Sequence, residues 1–147
     1  MDYSFIYDQP MRNILDAIEK AVSNHVTIDP VLAPGGTASN FKVSAFSYKL
    51  AGMVYNKAAA DNIAAPGTST AAGEFLKVLV CIDASGTVSV VAGEKAATQA
   101  LAELPDTPAN KLAIGYLEIP ESFTSGTTNV TAGMCKRYDY SIDVVNA

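Results

Sequence analysis

Histidine occurs once in the 147 residues, at His25, and cysteine twice, at Cys81 and Cys135. Any acid–base or nucleophilic scheme built on imidazole and thiol must run through these three side chains. A Cys135–His25 pair is conceivable, but no local motif supports it. His25 lies in Ser23-Asn24-His25-Val26, just past a helical stretch, where an imidazole would interact with the last helix carbonyls. Cys81 stands in Phe75-Leu76-Lys77-Val78-Leu79-Val80-Cys81-Ile82, where a small buried hydrophobe is the expected role. Two cysteines so far apart form neither a disulfide framework nor a zinc site. Asp139 and Asp143 share one face of a strand, but at that spacing they stand ~13 Å apart, too far for paired-carboxylate chemistry. The loop Ala33-Pro34-Gly35-Gly36-Thr37 lacks the lysine and the following helix that a phosphate cradle needs. Tyr138 and Tyr140 could offer a flat stacking surface to a glycan. They share parity with Ile142 and Val144, which favours a core or interface stripe, and the chain has no tryptophan. The expectation is a chain with no catalytic, cofactor-binding or metal-ligating residues, and no cofactor.

Composition points the same way. Only 17% of residues are charged, 49% are hydrophobic, and ten Lys plus Arg face fifteen Asp plus Glu for a net charge of -5. A nucleic-acid partner would call for clustered basic residues, and the only adjacent basic pair is Lys136-Arg137, which reads as the solvated face of a strand. The start, MDYSFIYDQP, carries acids where a signal peptide would carry Lys or Arg, and no apolar run approaches the ~18 residues of a membrane span. No membrane partner and synthesis in the cytoplasm are therefore expected. A chain of this length forms one core without help from disulfides or metals.

The elements follow from periodicity and punctuation. Met11, Ile14, Leu15, Ile18 and Val22 form one stripe at helical spacing, with Asp8 as cap and Pro10 in the first turn, so a helix is predicted over residues 9–23. Before it, Tyr3-Ser4-Phe5-Ile6-Tyr7 places three aromatics in five positions of a terminal arm. Such a cluster packs back on its own helix or inserts into a neighbouring subunit. Residues 29–40 read as a loop or linker. Residues 41–50 and 53–59 read as strands joined by Ala51-Gly52, which brings Tyr48 near Tyr55 across the ladder. Residues 58–67 break that alternation and read as a turn or short helical piece, then a loop through Gly73. A hairpin follows, from Phe75-to-Ile82 and Thr87-to-Val91 around Asp83-Ala84-Ser85-Gly86, with Gly86 at positive φ. Residues 94–104 have the Ala-rich composition of a short helix stopped by Pro105. Residues 111–119 form a strand, 121–131 a polar loop, and 134–145 a last alternating strand. The fold class expected is mainly β: a small antiparallel sandwich or barrel with an N-terminal helix and one or two short helical inserts. Residues 1–40 make an arm, helix and linker, and 41–147 the β domain.

The order of pieces from Phe41 onward resembles a group of small virion structural proteins of tailed bacteriophages. The likeness is carried by Phe46-Ser47-Tyr48-Lys49-Leu50-Ala51-Gly52-Met53-Val54-Tyr55-Asn56-Lys57-Ala58-Ala59 and Val80-Cys81-Ile82-Asp83-Ala84-Ser85-Gly86-Thr87-Val88-Ser89. It continues through the Ala-rich stretch before Leu104-Pro105, Ala113-Ile114-Gly115-Tyr116-Leu117-Glu118-Ile119 and Phe123-Thr124-Ser125-Gly126-Thr127-Thr128. It spans roughly residues 41–131 and leaves the first 40 uncovered. Proteins of this group look like head decoration (cement) proteins, head fibres or accessory tail proteins. The resemblance implies a homo-oligomer, with a trimer favoured, seated on the major capsid protein at the capsid surface of the virion. The alternative is a tail, fibre or baseplate accessory protein that touches glycans. Low charge and a terminal aromatic arm suit a surface covered by neighbours, because interface cores are poor in charge and rich in aromatics. Tyr3, Phe5, Ile6 and Tyr7 are the expected protein-contact residues.

Overall fold

The computed structural model describes Met11, Asn13, Ile14, residues 24–65 and residues 68–138. Among these the chain is mainly β, with ten strands: β1 (His25–Ile28), β2 (Leu32–Pro34), β3 (Asn40–Val43), β4 (Phe46–Leu50), β5 (Met53–Lys57), β6 (Ala60–Ala64), β7 (Leu76–Asp83), β8 (Val88–Ala92), β9 (Lys111–Ile119) and β10 (Cys135–Arg137). They make three antiparallel sheets, in the orders β1-β4-β5, β2-β3-β6 and β10-β9-β7-β8. Each order has two ends, so none of the three sheets closes on itself.

The three sheets share one core, and the period of two explains how. Phe41 and Val43 of β3, Phe46, Tyr48 and Leu50 of β4, and Leu76, Val78, Val80 and Ile82 of β7 alternate inward into a single cluster. On β9 the inward set changes parity, from Leu112 and Ile114 to Leu117 and Ile119. The register explains this: Val80 faces Gly115 but Cys81 faces Ala113, which leaves Ile114 as an extra residue in a bulge. At Gly115 the sheets touch, since a Cβ there would fall 2.5 Å from Leu32 Cδ1 of β2.

The central strand β7 is covered on both faces, which accounts for its unbroken apolar run. Its second face buries Leu79 and Cys81 with Ala113 beneath Val91, Leu104 and Tyr138. Leu104 belongs to a loop that crosses back over the sheet after β8. Gly93 N–H donates to the Lys77 carbonyl at 2.9 Å, and a Cβ on Gly93 would meet the Glu103 carbonyl oxygen at 2.5 Å.

Buried hydroxyls tie the remaining loops to the body. Ser39 Oγ donates to the Thr128 carbonyl at 2.9 Å and accepts from Gly126 N–H at 2.6 Å. Thr70 Oγ1 donates to the Pro120 carbonyl at 2.6 Å and accepts from Phe123 N–H at 3.0 Å.

Several elements depart from the sequence reading. Residues 60–64, expected as a turn or short helical piece, form β6 and pair with β3. Residues 94–104 do not form the expected helix, because Ala96 exchanges both backbone hydrogen bonds with Phe75, at 2.8 and 2.9 Å, and so has none for a helical ladder. The one helical element that is described from end to end is a 3-10 turn, Ala132–Met134; Met11, Asn13 and Ile14 are also helical. The expected linker contains β2, whose Pro34 is tolerated at the edge of its sheet. No N-terminal helix is shown: the expected helix over 9–23 falls largely outside the described residues, as do the arm residues Tyr3, Phe5, Ile6 and Tyr7. Of the last expected strand, 134–145, Met134 instead ends the 3-10 turn, residues 135–137 form β10, Tyr138 follows, and the rest lies outside the described residues.

Candidate protein-contact surface

The β4–β5 hairpin forms because Ala51 and Gly52, at φ 51° and 81°, supply the two left-handed positions that a two-residue turn requires. Asn24 Oδ1 accepts Ala51 N–H at 2.8 Å and fixes the entry to β1 against that turn. The register then places Tyr48 opposite Tyr55, with ring centroids 5.3 Å apart and planes 23° from parallel, as the alternation predicted.

Residues of opposite parity point away from the core. His25, Lys49 and Val54 form one cross-strand row, and Ile28, Ser47 and Asn56 the next. Val54 is 66% exposed and Ile28 59%, and Ser47 Oγ and Asn56 Oδ1 lie 2.5 Å apart in a hydrogen bond. His25 Nδ1 is buried and meets no hydrogen-bond partner among the described residues. Neither aspartate nor glutamate occurs on these three strands, in a chain whose net charge is -5. Strand β5, Met-Val-Tyr-Asn-Lys, is also an edge, with proline absent and its one charge at the end. Chemically this face is apolar and cationic, and it can receive a segment that is apolar and anionic.

The residues that could have carried chemistry are occupied otherwise. His25 lies in β1, and the helix end expected just before it falls outside the described residues. The Cys135 thiol donates to the Thr131 carbonyl at 3.6 Å, and burial pushes its pKa up. Burial pushes the Cys81 thiol up to about 11 despite the opposing charge of Lys111. Both shifts run away from the thiolate that a nucleophile needs. In the glycine loop, Gly35 N–H donates to the Asn40 carbonyl at 2.9 Å and Gly36 N–H to Asn62 Oδ1 at 3.0 Å, so both amides serve the fold. The basic pair is neutralised, Lys136 by Glu118 at 3.7 Å and Arg137 by Asp29. Tyr138 is half-buried against the second face of β7, while Asp139, Tyr140, Ile142, Asp143 and Val144 lie outside the described residues. Among the described residues no group of three metal-ligating side chains comes together, and no helix is long and apolar enough to cross a membrane.

Sequence reasoning had singled out the terminal arm and had not singled out the Ile28–Lys49–Val54 face. The signal was present in the parity of the 46–57 hairpin, which divides Tyr48 and Tyr55 from Lys49 and Val54. No protein family, curated protein or solved structure matches the chain.

Proposed function

We propose that the protein is a non-enzymatic decoration (cement) protein of a tailed-bacteriophage head, which binds the outside of the major capsid protein lattice and stabilises the shell. The observation that carries this reading is the acid-free β1-β4-β5 sheet, on which Ile28 and Val54 are exposed, set on an antiparallel body in a chain poor in charge. Exposed apolar patches rimmed by polar side chains mark protein-contact sites. The resemblance over residues 41–131 supplies the virion setting, and a sandwich-like stacking of the three sheets would give the body its stiffness.

In this reading the work is done by attachment. Each copy adds modest contact energy across a junction between capsid subunits, and a homo-oligomer, a trimer by preference, makes the attachment multivalent. Tyr3, Phe5, Ile6 and Tyr7 serve as contact residues. The protein would be made in the host cytoplasm and reside on the virion surface.

Antibody labelling of purified phage particles tests the assignment. Label spread evenly over the head supports it. Label confined to the tail replaces it with a tail, fibre or baseplate role, and particles without label remove the virion reading altogether.

A further inference from the structure

We propose that the free edge of β8 pairs antiparallel with the β8 edge of a second copy about a twofold axis at Val90, joining the two β10-β9-β7-β8 sheets into one continuous sheet. The contact is separate from the face assigned to the capsid, and it does not depend on a virion setting. A threefold contact elsewhere on the chain is compatible with it, since twofold and threefold axes combine in one closed assembly.

Edge strands present backbone donors and acceptors that recruit a further strand unless something opposes it. Each other sheet edge carries such a feature: Pro34 on β2, Lys57 on β5, Asp61 on β6, Lys136 and Arg137 on β10, and on β1 an irregular register between Val26 and Ile28. Strand β8, Val88-Ser89-Val90-Val91-Ala92, has no charge, no proline and an unbroken register on β7. The ladder fixes which of its groups look outward. Asp83 N–H donates to the Thr87 carbonyl at 3.2 Å and Gly93 N–H to the Lys77 carbonyl at 2.9 Å, so residues 87, 89, 91 and 93 turn their backbone polar groups toward β7. Val88, Val90 and Ala92 turn theirs away, and among the described residues no hydrogen bond reaches them. The loop that returns after β8 lies over the face of the sheet, with Leu104 and Val91 packed on Leu79 and Cys81.

Register and charge select a second copy of β8 as the occupant. With Val90 opposite Val90, Val88 faces Ala92, and each of these pairs exchanges both backbone hydrogen bonds, which uses every outward group of the strand. Small and β-branched side chains meet throughout, and no like charges are opposed. The same count sets Glu94 opposite Gly86 of the other copy. Lys57 lies beside Gly86, its Cδ 4.0 Å from where a Cβ on that glycine would stand. Glu94 has the parity of Val88 and Val90, which pack into the core shared with β4, and Lys57 has the core-side parity of Phe46. The two charges therefore meet on one side of the joined sheet, and the twofold axis makes the contact twice. Among the described residues neither Glu94 nor Lys57 has an ion-pair partner in its own chain. A strand of another protein would satisfy the backbone of β8 but not this charge pairing.

The test uses full-length chains in analytical ultracentrifugation. The wild type is expected to associate. Ala92→Pro removes an outward amide at an exposed position and leaves the β7 ladder intact, so it should halve the mass of the wild-type particle. Glu94→Lys should weaken the pairing about 10-fold, and Lys57→Glu combined with Glu94→Lys should restore it, which separates pairing from misfolding. Register is read by disulfide formation between Ser89→Cys and Val91→Cys chains. Across the proposed axis residues 89 and 91 oppose each other with Cα atoms ~4.5 Å apart, within bridging range, whereas two copies of residue 89 stand ~7–8 Å apart. Mixed chains should give a dimer linked between residues 89 and 91, and neither chain should link to itself through its new cysteine. A monomeric wild type, an Ala92→Pro particle of unchanged mass, a charge swap that fails to restore association, or mixed chains without the 89–91 bond would overturn the proposal.

Discussion

The Tyr48 hydroxyl donates a 2.7 Å hydrogen bond to the main-chain carbonyl of Asp83, so β4 holds the turn that joins β7 to β8. The ring that delivers this bond is buried and stacked on Tyr55. Tyr48→Phe keeps the stack and removes the bond. The expected loss is about 1 kcal/mol, read as a fall in Tm of ~3–4 °C with an unchanged denaturant slope. An unchanged Tm would mean that water replaces the hydroxyl at no cost.

The same turn carries an acid dependence. Asp83 Oδ1 accepts from Ser85 Oγ at 2.6 Å, Ser85 N–H at 2.9 Å and Thr87 N–H at 3.0 Å. The Ser85 hydroxyl and then the Thr87 amide hold its carboxyl below the usual aspartate range. A carboxylate depressed in the folded state adds stability above its unfolded pKa of ~3.9, and that contribution is lost as pH falls through the lower folded value. Asp83→Asn keeps an acceptor but no charge, so its urea midpoint should fall less than that of the wild type between neutral and strongly acidic pH. The residue is half-buried, and after solvent screening the difference is expected below ~1 kcal/mol. Parallel pH profiles for the two proteins would contradict this.

Cys81 makes the opposite prediction in base. Its thiol keeps a proton to about pH 11 when folded and loses it near 9.0 when the chain is unfolded. Stability therefore declines as pH rises from the unfolded value toward the folded one, by a contribution of order 2–3 kcal/mol. Cys81→Ala should flatten the alkaline limb. At neutral pH a thiol reagent should label Cys81 only at the rate of opening of the β7–β9 sheet. Rapid modification of both cysteines in the native protein would refute the burial argument.

Two backbone positions should respond in opposite directions. Gly93→Ala would drive a methyl into the Glu103 and Lys77 carbonyl oxygens, at 2.5 and 3.0 Å, and should destabilise by ~1–3 kcal/mol. Ala51 is held at φ 51°, where an alanine side chain is strained by roughly 1 kcal/mol. Ala51→Asn should recover part of it, ~0.5–1 kcal/mol, since asparagine before glycine suits this turn. Thermal unfolding of both variants beside the wild type decides the matter.

The hairpins were legible because local chemistry and tertiary packing agree. Asp83-Ala84-Ser85-Gly86 is a turn by composition and by its hydrogen bonds, and the residues 111–119 strand is observed with the same bounds. Agreement fails where alanine dominates. Ala60-Asp61-Asn62-Ile63-Ala64 and the run after Gly93 have helix-forming composition, yet β3 claims the first and the Phe75–Ala96 bridge the second. His25–Ile28 and Leu32–Pro34 are too short to show a period. The proposed contact face was half legible. Alternation separates Val54 from Tyr55, but only the packing of three sheets on one core says which of the two looks outward.

The clasp between Ser39 and Gly126 also bears on how the chain is made. Its partners are 87 residues apart. At a synthesis rate of 5–20 residues per second, the first partner waits roughly 4–17 s for the second to leave the ribosome. The β2-β3-β6 sheet, which abuts Ser39 and leans through Leu32 on Gly115, thus lacks these contacts until residues 115 and 126 have been made. Completion of the body waits on residues late in the described chain, and a chain stalled or terminated before residue 126 would display its core strands to whatever chaperone or neighbour reaches them first.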